Sequence, residues 1–108
     1  MTRNKFGAKK TWSNLINRQF DSKLEADRAE QLYIASLEGS ITDLQFQKKF
    51  ILSDKPKVSI IVDFAYKENG NQLYEDAKGV LMPDFRVKMA WFKAKYNHEI
   101  ILYKGNRR

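Results

Sequence analysis

Apolar and polar positions alternate through two runs near the middle of the chain, VSIIVDFAY (58–66) and QLYEDAKG (72–79), joined by KENGN. Period-two alternation predicts strands. Asn-Gly between two such runs predicts a hairpin, because a type I′ turn needs two residues that tolerate positive φ. With Asn69 and Gly70 central, counting outward pairs Glu68 with Asn71, Tyr66 with Leu73, Phe64 with Glu75 and Asp63 with Asp76. Upstream, LQFQKKFIL (44–52) reads as a further strand, with Leu44, Phe46, Phe50 and Leu52 on one face and Gln45, Gln47, Lys49 and Ile51 on the other. Asp54-Lys55-Pro56-Lys57 is a turn, since Pro56 fixes φ and has no N–H for a ladder.

Helical spacing brackets these strands. Ser22 with Glu25 fits the S-x-x-E capping box and Gly39 supplies a stop, which predicts a helix over 22–37. At about 100° per residue, Ala26, Ala29, Leu32, Tyr33, Ser36 and Leu37 share one stripe, and Glu25 falls inside it. A carboxylate there either folds back to cap its own helix or is paired or metal-bound in the interior. Pro83 and Asp84 open a second helix over 84–96, with Phe85, Met89, Phe92 and Tyr96 as its core stripe. Lys88, Trp91 and Lys95 form a neighbouring stripe, readable as a grip on a phosphate backbone or as a solvated edge. HEIILY (98–103) is a last strand, with His98 at its exposed start.

Residues 1–19 show no sustained period and predict an irregular basic arm, with room for a helical turn near 12–16; residues 20–108 form one folded domain. Helix, three strands, helix, strand predicts an α/β sandwich: an antiparallel meander, then a right-handed crossover that adds the fourth strand.

Composition narrows the chemistry. At 108 residues the chain holds one modest core. It has no cysteine and a single histidine, which excludes disulfide scaffolds and thiolate or multi-histidine zinc centres; any metal would sit on oxygen ligands. No apolar run approaches the roughly 20 residues of a membrane span, and no secretory segment follows the basic amino terminus, so a cytoplasmic protein is expected. The net charge is +7, and its layout matters more than its size. Residues 1–20 carry five Lys/Arg, with Lys9 and Lys10 adjacent, and no acid; residues 84–108 carry seven against two acids. The middle holds eight bases and eleven acids. Basic ends around an acidic centre fit a polyanion bound at the edges of a site that itself takes cations, or simply two solubilising tails. Trp12 among the basic residues of the arm could stack on bases.

That acidic centre has a focus. Opposed residues in a ladder have Cβ atoms roughly 4.5–5.5 Å apart, and like charges there are destabilising. Asp63 and Asp76 therefore need a divalent cation between them, or solvation with Lys78, which lies on the same face as Asp76, as their salt-bridge partner.

An acidic residue on the first helix, Asp on the second strand and D-x-K on the third, in αβββαβ order, resembles the PD-(D/E)XK nuclease superfamily. FDSKLEA (20–26), ITDLQFQKKFIL (41–52), VDFAY (62–66) and YEDAKG (74–79) resemble small phage-encoded members akin to phage endonuclease I, a Holliday-junction resolvase. Two positions depart from the pattern: Val62 precedes Asp63 where the superfamily name has Pro, and Lys48 follows Gln47 where relatives often have Pro. The resemblance implies a restriction-endonuclease-like core with a mixed four-stranded sheet flanked by helices. It implies metal ligands at Glu25, Asp63 and Asp76, a catalytic Lys78, and Gln47 as an orienting residue. It further implies Mg²⁺, with Mn²⁺ as substitute, branched DNA as partner and substrate, and a homodimer. Lys9, Lys10, Lys88, Trp91 and Lys95 are the candidate DNA contacts. A non-catalytic nucleic-acid-binding module on the same scaffold is the rival reading, and an adaptor for an acidic protein is a third.

Overall fold

In the computed structural model, which describes residues 9–105, Asn69 and Gly70 adopt φ of 53° and 80°, the left-handed pair that a type I′ turn requires. They join β4 (Lys57–Glu68) to β5 (Asn71–Ala77). Pairing runs from Glu68 opposite Asn71 to Phe64 opposite Glu75, the register counted from the turn. β3 (Thr42–Asp54) lies antiparallel on the other side of β4. It extends beyond the predicted 44–52 at both ends.

The chain then passes through α2 (Pro83–Tyr96) and returns as β6 (Ile100–Tyr103), parallel to β5. The fold is thus mixed α/β: a four-stranded mixed sheet in the order β3-β4-β5-β6 with two helices. No helix among the described residues is long and apolar enough to cross a membrane.

α1 (Lys23–Glu38) begins at Ser22, whose Oγ accepts the Glu25 N–H at 3.1 Å, and ends at Gly39 with φ of 84°. Ala26, Ala29 and Leu32 are buried on it as predicted, whereas Leu37, at the C-terminal end of the same stripe, is exposed.

The two helices serve different cores. Phe20, Ala26, Ala29, Leu32, Phe64 and Tyr66 form one; Leu52, Ile60, Val62, Phe92 and Ile100 form the other. Adjacent residues Leu73 and Tyr74 of β5 join opposite cores, so the helices lie on opposite faces of the sheet. On β4, however, Val62 and Phe64 share a parity and still join different cores. The same switch separates Phe46 from Phe50 on β3. Strict alternation forbids this. The change-over falls at Gln47, whose φ of 56° is left-handed, while the β3–β4 register runs unbroken across it from Phe46–Phe64 to Lys48–Val62. The expectation that Leu44, Phe46, Phe50 and Leu52 share one face is corrected accordingly.

A second correction concerns the arm. Where the sequence predicts irregular chain, β1 (Thr11–Ser13) and β2 (Arg18–Phe20) form an antiparallel hairpin. Its four-residue loop closes through Asn17, with φ of 63°, whose N–H donates to Ser13 O at 2.8 Å. Buried Ser13 ties it to α1 by donating from Oγ to Glu30 Oε2 at 2.6 Å, and Phe20 enters the α1 core. Arg3, Lys5, Arg107 and Arg108 of the basic ends lie outside the described residues.

Candidate functional site

The β4–β5 ladder stops one step before Asp63 and Asp76, and their side chains take over from it. Asp63 N–H donates to Asp76 Oδ1 at 2.9 Å, and Ala77 N–H donates to Asp63 Oδ2 at 2.9 Å. Each carboxylate thus satisfies the backbone of the opposite strand and keeps one oxygen turned elsewhere. Asp63 Oδ1 accepts from the Gln47 amide at 3.1 Å, and the same Nε2 donates to Glu25 Oε2 at 2.6 Å. The left-handed backbone at Gln47 is what turns that amide toward α1.

Glu25 is buried. Its Oε1 accepts the Asp21 N–H at 3.3 Å while Oε2 faces Gln47. One Glu25 oxygen thus folds back to the chain just before its own helix, and the other meets the Gln47 amide that also holds Asp63.

Lys78 completes the cluster. Its Nζ lies 3.0 Å from Asp76 Oδ2 and 4.1 Å from the Phe85 ring centroid on α2, while its N–H is held by Tyr103 O of β6 at 3.0 Å. The ammonium is close enough for an ion pair, but its approach is not that of a hydrogen bond. Buried Asp76 Oδ2 therefore has no hydrogen-bond partner among the described residues.

Three carboxylates face one amine, so full ionisation leaves two negative charges uncompensated. The acidities register this. Asp63 is pushed up to about 8 by burial, then by the Asp76 and Glu25 charges. Glu25 is raised by burial and by the Asp21 charge. Asp76 is raised by burial against the opposing pull of Lys78.

Among the described residues no three His, Cys, Asp or Glu side chains already surround a single point as a metal ion needs, because the Gln47 amide stands between Glu25 and Asp63. Mg²⁺, however, takes only one or two carboxylates and fills its other positions with water and phosphate oxygens. Asp63 and Asp76 satisfy that demand with the oxygens that the backbone N–H groups leave over, Asp76 Oδ2 beside the Lys78 ammonium and Asp63 Oδ1 beside the Gln47 amide. An all-oxygen donor set suits a hard cation.

The other candidate residues lie apart from this cluster. Lys10 pairs with Asp21 at 3.2 Å on the rim of a pocket lined by Arg18, Gln19, Phe20, Asp21, Glu25 and Gln47; Lys9 is exposed nearby. Lys88 and Trp91 are on α2. Lys95 Nζ donates to Ile51 O and Leu52 O at 3.1 and 3.4 Å, so its ammonium is tied to the end of β3.

Sequence reasoning missed one network. Buried Glu75 receives both arms of Arg28 from α1, through Nε to Oε2 and Nη2 to Oε1, and the Tyr66 hydroxyl donates to Oε1 at 2.8 Å. Burial and Glu75 push that hydroxyl up to about 12. The signal was present: the hairpin register sets Glu75 opposite Phe64, on a face that has to be apolar.

A family model described as Protein of unknown function (DUF1064) matches residues 3–104. The chain belongs to that family. The DUF1064 match spans the hairpin, both helices and the sheet, and so takes in every residue of the carboxylate cluster. No curated protein and no solved structure matches the chain.

Proposed function

We propose that this chain is a metal-dependent DNA endonuclease of the PD-(D/E)XK type, acting on branched substrates such as the four-way junction. The observation that carries the reading is the convergence of Glu25 from α1, Gln47 from β3, Asp63 from β4 and Asp76 with Lys78 from the end of β5 into one hydrogen-bonded and ion-paired cluster. That residues so far apart in sequence, in the order helix, strand, strand, strand, come together supports the expectation drawn from the resemblance.

In this reading Asp63 and Asp76, with Glu25 behind the Gln47 amide, hold Mg²⁺ or Mn²⁺. Bound there, the cation supplies a Lewis acid for the scissile phosphate and lowers the pKa of an attacking water. Lys78, braced on the Phe85 ring, orients that water and offsets the negative charge that develops on the phosphate oxygens. Gln47 keeps the Glu25 and Asp63 oxygens at a fixed separation, so the cluster is organised before substrate arrives. A four-way junction is two-fold symmetric and needs two incisions, so the active form is a homodimer. Its place of action is the cytoplasm.

The test compares cleavage of a four-way junction, a flap and a linear duplex by one preparation, with Mg²⁺ and with EDTA. Metal-dependent cutting is expected, strongest on the junction, and lost in Asp76→Asn and Lys78→Ala while both variants keep the wild-type circular dichroism spectrum. Lys78→Ala cutting at the wild-type rate would refute its role; metal-independent binding without any cutting would favour the non-catalytic module.

A further inference from the structure

Arg18 lines a pocket together with Glu25 and Gln47 of the carboxylate cluster, and among the described residues its side chain donates no hydrogen bond. Its guanidinium lies 5.1 Å from the Phe46 centroid and 5.7 Å from the Phe20 centroid, over two rings packed edge to face. Contact with both rings holds the guanidinium, a rigid fork of five N–H donors, at the pocket it lines. Among the described residues Arg18 makes no ion pair. Arg28, by contrast, gives both arms to Glu75.

The pocket next to Arg18 has about 210 Å³ of space and is walled on its far side by Glu25 and Gln47. Its acids are already engaged: Asp21 by Lys10, Glu25 by the Asp21 N–H and the Gln47 amide. The space falls below the roughly 300–1,000 Å³ of small-molecule sites. It suits one phosphodiester group and a few waters at about 30 Å³ each.

We propose that Arg18 and this pocket bind a backbone phosphate of a nucleic-acid strand, adjacent along that strand to the phosphate at Asp63 and Asp76. The inference rests on the nucleic-acid reading of the same site. The β1–β2 hairpin then acts as a clamp that sets where the strand crosses the cluster. A guanidinium matches a phosphate in a bidentate way that lysine does not.

Fluorescence anisotropy of a labelled duplex in EDTA, where no cutting occurs, tests this with the full chain. Arg18→Met keeps the apolar stem over Phe20 and Phe46 and removes the charge. It should weaken binding about tenfold at moderate salt and lower the slope of log K against log salt by about 0.9, one phosphate contact. Arg18→Lys should restore the slope. Unchanged affinity and slope in Arg18→Met overturns the proposal. Should that variant fail to fold, phenylglyoxal modification of Arg18 in the wild-type chain reads the same contact: protection by bound duplex is expected, and its absence overturns the proposal. If the wild type cuts with Mg²⁺ but Arg18→Met binds normally, only this inference fails. If nothing cuts but binding depends on Arg18, only the endonuclease reading fails.

Discussion

Asp63 and Asp76 are placed where the fold opposes their full ionisation. For the raised carboxyls the folded chain holds protons that the unfolded chain has already released, over a window from the ordinary carboxylate range up to about 8 for Asp63. Stability follows the difference in bound protons, so this contribution is fullest on the acid side and is lost as pH rises through that window. In EDTA the melting temperature should therefore fall between about pH 5 and about pH 8. Mg²⁺ or Mn²⁺ should recover it most at the alkaline end, where the ligands are ionised. Asp63→Asn keeps an acceptor for the Ala77 N–H and removes the need to take up a proton on folding. In EDTA at neutral pH it should stabilise the fold by about 1 kcal/mol, roughly 4–8 °C in a domain of this size, while abolishing cleavage. A flat pH profile by scanning calorimetry, with no gain in Asp63→Asn, counts against the electrostatic account. The opposition of Asp63 and Asp76 was legible in the sequence because Asn69-Gly70 sets the count of residues on each strand. The role of Gln47 was not legible from spacing alone, because nothing in the sequence announces a left-handed glutamine in mid-strand.

Between elements, the Arg28–Glu75 pair fastens α1 to β5. Arg28 sits three residues after Glu25, and Glu75 immediately precedes Asp76, so this one contact fixes how the helix carboxylate meets the strand carboxylate. Removing one partner of a buried ion pair leaves the other charge uncompensated, at about 3–5 kcal/mol. That is a large share of the roughly 5–15 kcal/mol that holds a domain folded. Arg28→Met should therefore lower the urea midpoint sharply. Arg28→Met with Glu75→Gln, which leaves no buried charge and keeps an acceptor for Tyr66, should cost less than Arg28→Met alone. A double variant as unstable as the sum of its singles would show that packing, not charge, sets the cost. The larger elements were legible: capping Ser22, stop Gly39 and the stripe of α2 each act within one or two turns. β1 and β2 were not, since three-residue strands are too short to show a period, and Ser13 and Asn17 close the hairpin through contacts that only the folded chain makes. The face switch at Gln47 was hidden for the same reason: apolar residues of one parity serve two cores.

Over the whole molecule the +7 charge is set around a cluster of three carboxyls and one amine, a layout that suits a polyanion arriving together with a cation. The described residues hold one such cluster, whereas a two-fold junction presents two phosphates related by symmetry. Resolution by the proposed activity thus needs two chains acting on one substrate. Sedimentation at micromolar concentration should show a dimer, with or without junction DNA. Mixing is the sharper measurement. When wild-type chain is co-folded with an excess of Lys78→Ala, most wild-type subunits pair with an inactive partner. Each such dimer can cut only one of the two symmetric strands, so singly nicked junctions should accumulate in step with the inactive fraction. If the chains act independently, added Lys78→Ala merely competes for substrate and fully resolved products keep their proportion among the cuts, an outcome that would exclude a dimeric resolvase while leaving a monomeric nuclease in place.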